Sequence, residues 1–300
     1  MSMERKTTNV LGIPISAANF ALSLDWVAED LLARRKGYSC FVSVHGLMEA
    51  YRNASFAECY AGASLLFPDG APVAWVGRGQ GEGHMERVAG PEFMLMLFGD
   101  DRFRNATHFL YGGEEGVAEL LRQRLSEQFP HARFAGTFTP PFRSLTETES
   151  NAFVETIAQL KPNIIWVGIG CPKQEQFMQQ FLPRLDTVLM FGVGAAFDFH
   201  TGRLKDSPQW VKDAGLQWLH RLVQDPCRLW KRYITSNTYF LLALLWHKLF
   251  RPLAQQKKHP AQNQNYAMTE ERHPPYDDVT VADPNRFRVG ETGAGRQRSA

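Results

Sequence analysis

The chain has 300 residues, 44% of them hydrophobic, with 33 Lys/Arg against 31 Asp/Glu and a formal net charge of +2. Such a chain can bury one large core plus an appendage, or two small cores, and its near balance of charge excludes wholesale nucleic-acid binding. Cys40, Cys59, Cys171 and Cys227 include no C-x-x-C pair, which argues against a zinc ribbon or disulfide scaffold and fits a reducing cytoplasm.

Met1 to Asn9 is polar and lacks the apolar core of a secretory signal, and no stretch approaches the roughly 20 apolar residues of a membrane span. The expected location is therefore cytoplasmic. Apolar residues from Phe20 to Leu32 recur at helical spacing, so Asn19 to Arg35 reads as a core-facing helix. Ser39 to Val44 reads as a strand, followed by His45-Gly46 and a helix over Leu47 to Arg52. Ser64 to Phe67 is a short apolar run stopped by Pro68-Asp69-Gly70, which puts Asp69 at a turn before the hydrophobic Ala71 to Val76. Arg78 to Gly90 is rich in glycine and charge and reads as a mobile surface loop, either a lid or a solvated connector. Pro91 then opens a helix expected to bury Phe93, Met94, Met96, Leu97 and Phe98. Thr107 to Tyr111 is a strand ending in Gly112-Gly113, and Val117 to Phe129 has helical spacing. After the Pro140-Pro141 turn, Thr146 and Glu149 fit a capping box that opens a helix running to Leu160.

Ile164 to Val167 is a buried strand leading into G-I-G-C-P-K-Q-E, residues 168–175. Gly168 and Gly170 permit unusual backbone, Pro172 suits a first helical turn, and Lys173, Gln174 and Glu175 crowd that turn. Free N–H groups and a lysine at a helix start suit an anion, phosphate above all. The alternative is an ordinary strand-to-helix turn, since the spacing matches neither the dinucleotide fingerprint nor the P-loop. Val188 to Val193 is the last clear strand. The alternation of strands and helices implies an α/β, Rossmann-like fold with a mainly parallel sheet. Ligands collect outside the strands' carboxyl ends in such sheets, where Ser43, His45, Gly112, Gly168, Gly170 and Gly194 fall.

After Gly202 the composition shifts. Nine Lys/Arg (Arg203, Lys205, Lys212, Arg221, Arg228, Lys231, Arg232, Lys248, Arg251) face only Asp206, Asp213 and Asp225, and Trp210, Trp218, Trp230 and Trp246 are interspersed. This basic, Trp-rich pattern suits helices on an anionic membrane surface, or else a helical pair packed on the sheet with solvated arginines. The expected division is an α/β core over 1–203, a C-terminal helical appendage over 204–252, and a disordered polar tail over 253–300.

Seven segments occur together and in order: F-P-D-G (67–70), E-R-V-A-G-P-E (86–92), Y-G-G (111–113), P-P-F (140–142), G-I-G-C-P-K-Q-E (168–175), G-V-G-A-A-F-D-F (192–199) and W-L-H-R-L-V-Q-D-P-C-R-L-W-K-R-Y (218–233). From about Val10 to Arg251 the chain resembles the WecG/TagA/CpsF glycosyltransferase family. The resemblance implies an inverting transferase that moves a sugar from a UDP-sugar to a polyprenyl-diphosphate-linked saccharide in cell-surface or exopolysaccharide synthesis. The sugar would be of the N-acetylmannosamine, uronic acid or glucose type. It also implies peripheral contact with the inner membrane face. Homo-oligomerisation is left open.

By the same resemblance Asp69 is the general base for the acceptor hydroxyl, although an ordinary aspartate, with a pKa of about 3.9, is a feeble base. Ser43-Val44-His45 stands where many members carry T-x-N. The imidazole can orient Asp69, contact substrate or share proton transfer, so Ser43 and His45 join Asp69 as catalytic candidates. Gly112, Gly168, Gly170, Lys173, Gln174, Glu175, Asp198 and the appendage arginines Arg221, Arg228 and Arg232 are the substrate-binding candidates. No D-x-D pair is present, and the adjacent Asp100-Asp101 is a poor substitute, so neither metal nor cofactor is expected and arginine is the phosphate ligand of choice. Two other classes compete. A nucleotide-cofactor oxidoreductase lacks its fingerprint, and a non-catalytic, membrane-associated nucleotide-sugar-binding component of a polysaccharide assembly complex would not need Asp69.

Overall fold

A computed structural model describes residues 4–250, except for the side chains of Asp213, Arg228 and residues 248–250. The expected tail over 253–300 lies outside the described residues. An antiparallel hairpin, β1 (Thr7–Val10) and β2 (Ile13–Ser16), comes first. Sequence gave no warning of it: two strands of four residues are too short to show a period. Then follow α1 (Phe20–Leu32), β3 (Gly37–Val42), α2 (Val44–Arg52), α3 (Ala54–Ala61), β4 (Leu65–Pro68), α4 (Ala71–Gly79) and α5 (Gly90–Gly99). The second half runs β5 (Thr107–Gly112), α6 (Val117–Gln128), β6 (Arg133–Phe138), α7 (Glu147–Leu160), β7 (Ile164–Gly168), α8 (Lys173–Phe181), β8 (Leu189–Gly192) and α9 (Ala196–His200). Helices α10 (Gln209–Asp213), α11 (Gln217–Gln224) and α12 (Pro226–Phe250) make up the C-terminal helical part.

Strands β3 to β8 form one parallel sheet in the order β4-β3-β8-β7-β5-β6. Because helices cover both faces, the central β7 and β8 are apolar without interruption, and period-2 alternation sorts the strands' side chains between two cores. Cys40, Val42, Ile165 and Val167 enter one core with α2, α3, α7 and α8. Phe41, Ile164, Trp166 and Phe191 enter the other with α1, α5, α6 and α9. Two caps set helix starts, the second of them expected from sequence. Asn19 accepts from the Leu22 N–H to begin α1, and Thr146 and Glu149 close a reciprocal capping box on α7.

Residues 71–79, read from sequence only as a hydrophobic stretch, form a helix, with Gly70 as its N-cap and Pro72 in its first turn. Two local expectations are corrected. Met96 is exposed, because α5 turns that face away from the sheet. The segment before α5 is tied down rather than mobile: Met85 and Val88 are fully buried, the Glu86 N–H donates to Ala18 O at 3.0 Å, and the Val88 N–H donates to Pro68 O at 2.8 Å. Glycine content exposed the need for turns there, but not the two apolar anchors between them.

Candidate active site

Strand register assembles one end of the site. The Val42 carbonyl, ending β3, accepts from the Asp69 N–H at 3.1 Å and the Gly70 N–H at 3.4 Å. Since Val42 also pairs in register with Pro68, Asp69 is set beside Ser43 at the carboxyl ends of adjacent strands. Ser43 caps α2, its Oγ accepting from the Gly46 N–H at 3.3 Å. His45 lies in the first turn of α2, not in a loop before it, and its Nδ1 is 3.2 Å from Ser236 Oγ on α12. All three line a cleft of about 1330 Å³ that crosses the carboxyl edge of the sheet.

Electrostatics separates the two titratable groups. Burial pushes the Asp69 carboxyl from its ordinary 3.8 up to about 6, with the guanidinium groups of Arg87 and Arg221 pulling it down and Glu92 pushing it up. Asp69 is therefore ionised at neutral pH yet a stronger base than a solvated aspartate. Burial, with help from the Arg232 charge, lowers His45 to about 4, so its imidazole is neutral at pH 7.

The middle of the cleft is a topological crevice. From β5 the chain crosses outward to β6, whereas from adjacent β7 it crosses the other way to β8, so the loops after β5 and β7 diverge. Gly112 closes the crevice floor at a φ of +135°, where an added Cβ would lie 2.5 Å from the Gly168 carbonyl oxygen. Only glycine fits there, and Gly112 itself is not on the cleft wall, whereas Gly113, Gly168, Gly170 and Gly194 are.

The triad from Lys173 to Glu175 splits by helix geometry. Lys173 is exposed on the cleft, its Nζ 5.5 Å from the centroid of the Phe142 ring. Gln174 is buried against the β8 loop: its Nε2 donates to Gly192 O at 2.8 Å and to Glu175 Oε1 at 3.0 Å, and its Oε1 accepts from the Gly194 N–H at 3.0 Å. Glu175 is 0% exposed beneath the cleft, with no hydrogen-bond partner for Oε2 among the described residues. Burial pushes its carboxyl pKa up. Asp198 lies on the wall and pairs with Arg203 Nε at 3.5 Å. Arg221 and Arg232 line the cleft from α11 and α12, Arg221 with its guanidinium 5.5 Å from the Phe199 ring centroid. The Arg228 side chain lies outside the described residues.

Sequence reasoning passed over a polar cluster beside Asp69. Arg87 Nη2 donates to Glu92 at 3.1 and 3.2 Å and to Gln217 Oε1 at 2.7 Å, and Lys212 Nζ meets Glu92 Oε1 at 3.0 Å. The signal lies in E-R-V-A-G-P-E, where two opposite charges five residues apart flank a helix start. Trp75, half-exposed on the cleft wall from α4, was likewise missed.

An aspartate raised toward neutrality on the same cleft as a switch-point crevice suits a group-transfer enzyme of the α/β class. By sequence, the chain belongs to the Glycosyl transferase WecG/TagA/CpsF family, whose model matches residues 8–254. It is accordingly an enzyme that transfers sugar. Similar proteins include an N-acetylglucosaminyldiphosphoundecaprenol N-acetyl-beta-D-mannosaminyltransferase of Bacillus subtilis (strain 168), 23% identical over 80% of this chain and 91% of the relative. Proteins of the same name occur in Bacillus spizizenii (26% identical over 67% of this chain and 75% of the relative) and Staphylococcus aureus strain MW2 (25% over 61% and 68%).

Proposed function

We propose that this glycosyltransferase moves a sugar, of the N-acetylmannosamine, uronic acid or glucose type, from a UDP-sugar to a polyprenyl-diphosphate-linked saccharide, with inversion. The names of the relatives support the lipid-linked acceptor and favour N-acetylmannosamine among these sugars. The observation that carries the mechanism is the Asp69 carboxyl, half-buried on the cleft and raised to about 6. The acceptor oxygen attacks the anomeric carbon, its proton passes to Asp69, and the bond to the β-phosphate oxygen breaks with its electron pair leaving on UDP. The β5/β7 crevice is the natural seat for the donor diphosphate. Lys173, Arg221 and Arg232 on the cleft supply positive charge, and Gly170 and Gly194 leave room for backbone approach. Ser43 and His45 hold the acceptor or the sugar close to Asp69. Gln174 acts through the β8 loop it fastens, and Glu175 through Gln174.

The reading also places the enzyme at the inner membrane face, held by the basic, apolar surface of the C-terminal helices. The test is purified protein with a UDP-sugar panel and a GlcNAc-diphosphate-prenyl acceptor, run beside Asp69→Asn. Turnover by wild type and a loss of about 10²- to 10⁴-fold in the variant are expected. No consumption of any UDP-sugar, or a variant at full rate, defeats the reading.

A further inference from the structure

We infer that Trp75, packed against the Gly215 turn, forms the subsite for the acceptor's sugar; this rests on the reading of Asp69 as base and the β5/β7 crevice as the donor diphosphate seat. Inversion requires the incoming oxygen and the departing phosphate to lie on opposite sides of the anomeric carbon. With the phosphate toward β7 and β5 and the base at the end of β4, the outermost strand on the other side, the acceptor must enter past the far flank of Asp69. That flank is α4, which begins two residues after Asp69 and carries Trp75 on its second turn.

Three features make this wall a built surface rather than a stray aromatic. The Trp75 side chain is 50% exposed and lines the same cleft as Asp69, so one portion of the ring is wet while another is packed. Gly215, in the turn between α10 and α11, holds the packed portion: an added Cβ would stand 3.0 Å from Trp75 Cζ2 and 3.1 Å from Ala71 Cβ. Gly215 has a φ of +68°, so the turn both requires glycine and brings the chain down onto the indole edge. The Arg87–Glu92–Lys212 cluster, with Gln217, closes the wall beside it. An indole held at its edge presents a flat apolar surface, which matches the C–H face of a pyranose, while its polar neighbours match the ring hydroxyls.

The experiment compares wild type, Trp75→Ala and Trp75→Phe in steady-state transfer to a GlcNAc-diphosphate-prenyl acceptor. Acceptor-free hydrolysis of the UDP-sugar is measured alongside, as is inhibition by the prenyl diphosphate without sugar. Trp75→Ala should raise the acceptor KM about tenfold and leave the donor KM, donor hydrolysis and inhibition by the sugarless lipid unchanged. Trp75→Phe should recover most of the loss. A Trp75→Ala enzyme with an unchanged acceptor KM overturns the subsite while leaving the functional reading intact, and so does one that weakens the sugarless lipid equally. Wild-type protein that transfers to no such acceptor overturns both. Unchanged donor hydrolysis in the variants shows that the fold has survived, so a raised acceptor KM reports contact rather than unfolding.

Discussion

Asp69 carries a pH signature that separates catalysis from structure. Its carboxyl is raised to about 6 chiefly by burial, so the deprotonated, basic form accumulates only above that pH. The value of kcat/KM should therefore climb through about pH 6 and level off by neutrality, and a rate that is flat between pH 5 and 8 would remove Asp69 from proton transfer. Stability has the opposite sense. A carboxyl raised on folding contributes stability that is fully present below about 3.8 and is lost as pH rises through about 6. Asp69→Asn should then melt a few degrees higher than wild type at pH 7.5 and show no such advantage at pH 4. His45 works the other way. Lowered to about 4, it contributes stability above its ordinary 6.5 that is lost as pH falls toward 4. His45→Asn should reduce that acid loss and change either the rate or the preference among UDP-sugars. An identical donor profile and rate would leave His45 a purely structural contact to Ser236.

At the scale of elements, the strands that position the site depend on buried aromatic side chains. Trp166 on β7 is 0% exposed, stacks on Phe191 at 5.0 Å between ring centroids, and donates its indole N–H to His108 Nδ1 at 3.2 Å. Trp166→Ala leaves both a cavity and a His108 Nδ1 without its donor, and should cost about 3–5 kcal/mol by denaturant unfolding. The cost of this change should appear as a lower unfolding midpoint, with kcat little altered in the molecules that remain folded at low temperature. The β7 strand was legible because I-I-W-V is apolar without a break, and the α7 start because Thr146 and Glu149 state their own hydrogen bonds. Helix α4 was illegible for a physical reason. Its sequence, A-P-V-A-W-V-G-R-G, carries two glycines and two β-branched valines, and it is helical because the Val42 carbonyl pins Asp69 and Gly70 and strands β1 and β4 pack against it. The site was legible in the same uneven way. Lys173 stands out by its place at a helix start, whereas Asp69 and Arg221 are singled out by the resemblance; all three line the cleft, and the inward turn of Gln174 and Glu175 follows from where α8 begins.

For the whole molecule, the question is what the C-terminal helices do besides wall the cleft. Helix α12 packs on α2, where Arg52 lies 3.8 Å over the Tyr239 ring and Phe240 and Ala243 are buried. Removing it would strip the core, so deletion cannot isolate a membrane role. Its outer side does offer a cleaner test: Ile234, Leu242 and Leu245 are each more than half exposed, with Lys231 nearby in sequence and Trp230 half-exposed one turn before Ile234. Among the described residues no helix is long and apolar enough to cross a membrane. Three aliphatic side chains entering the headgroup boundary add apolar burial, and the basic residues of these helices add attraction to anionic lipid that salt weakens. The triple change Ile234→Ser, Leu242→Ser and Leu245→Ser removes three of the exposed apolar side chains of α12 without altering charge. It should cut sedimentation with phosphatidylglycerol vesicles at least tenfold while leaving the melting temperature and the rate on a short-chain, water-soluble acceptor unchanged. If the triple variant sediments like wild type, or if wild type binds neutral vesicles as well as anionic ones, these helices serve the cleft alone.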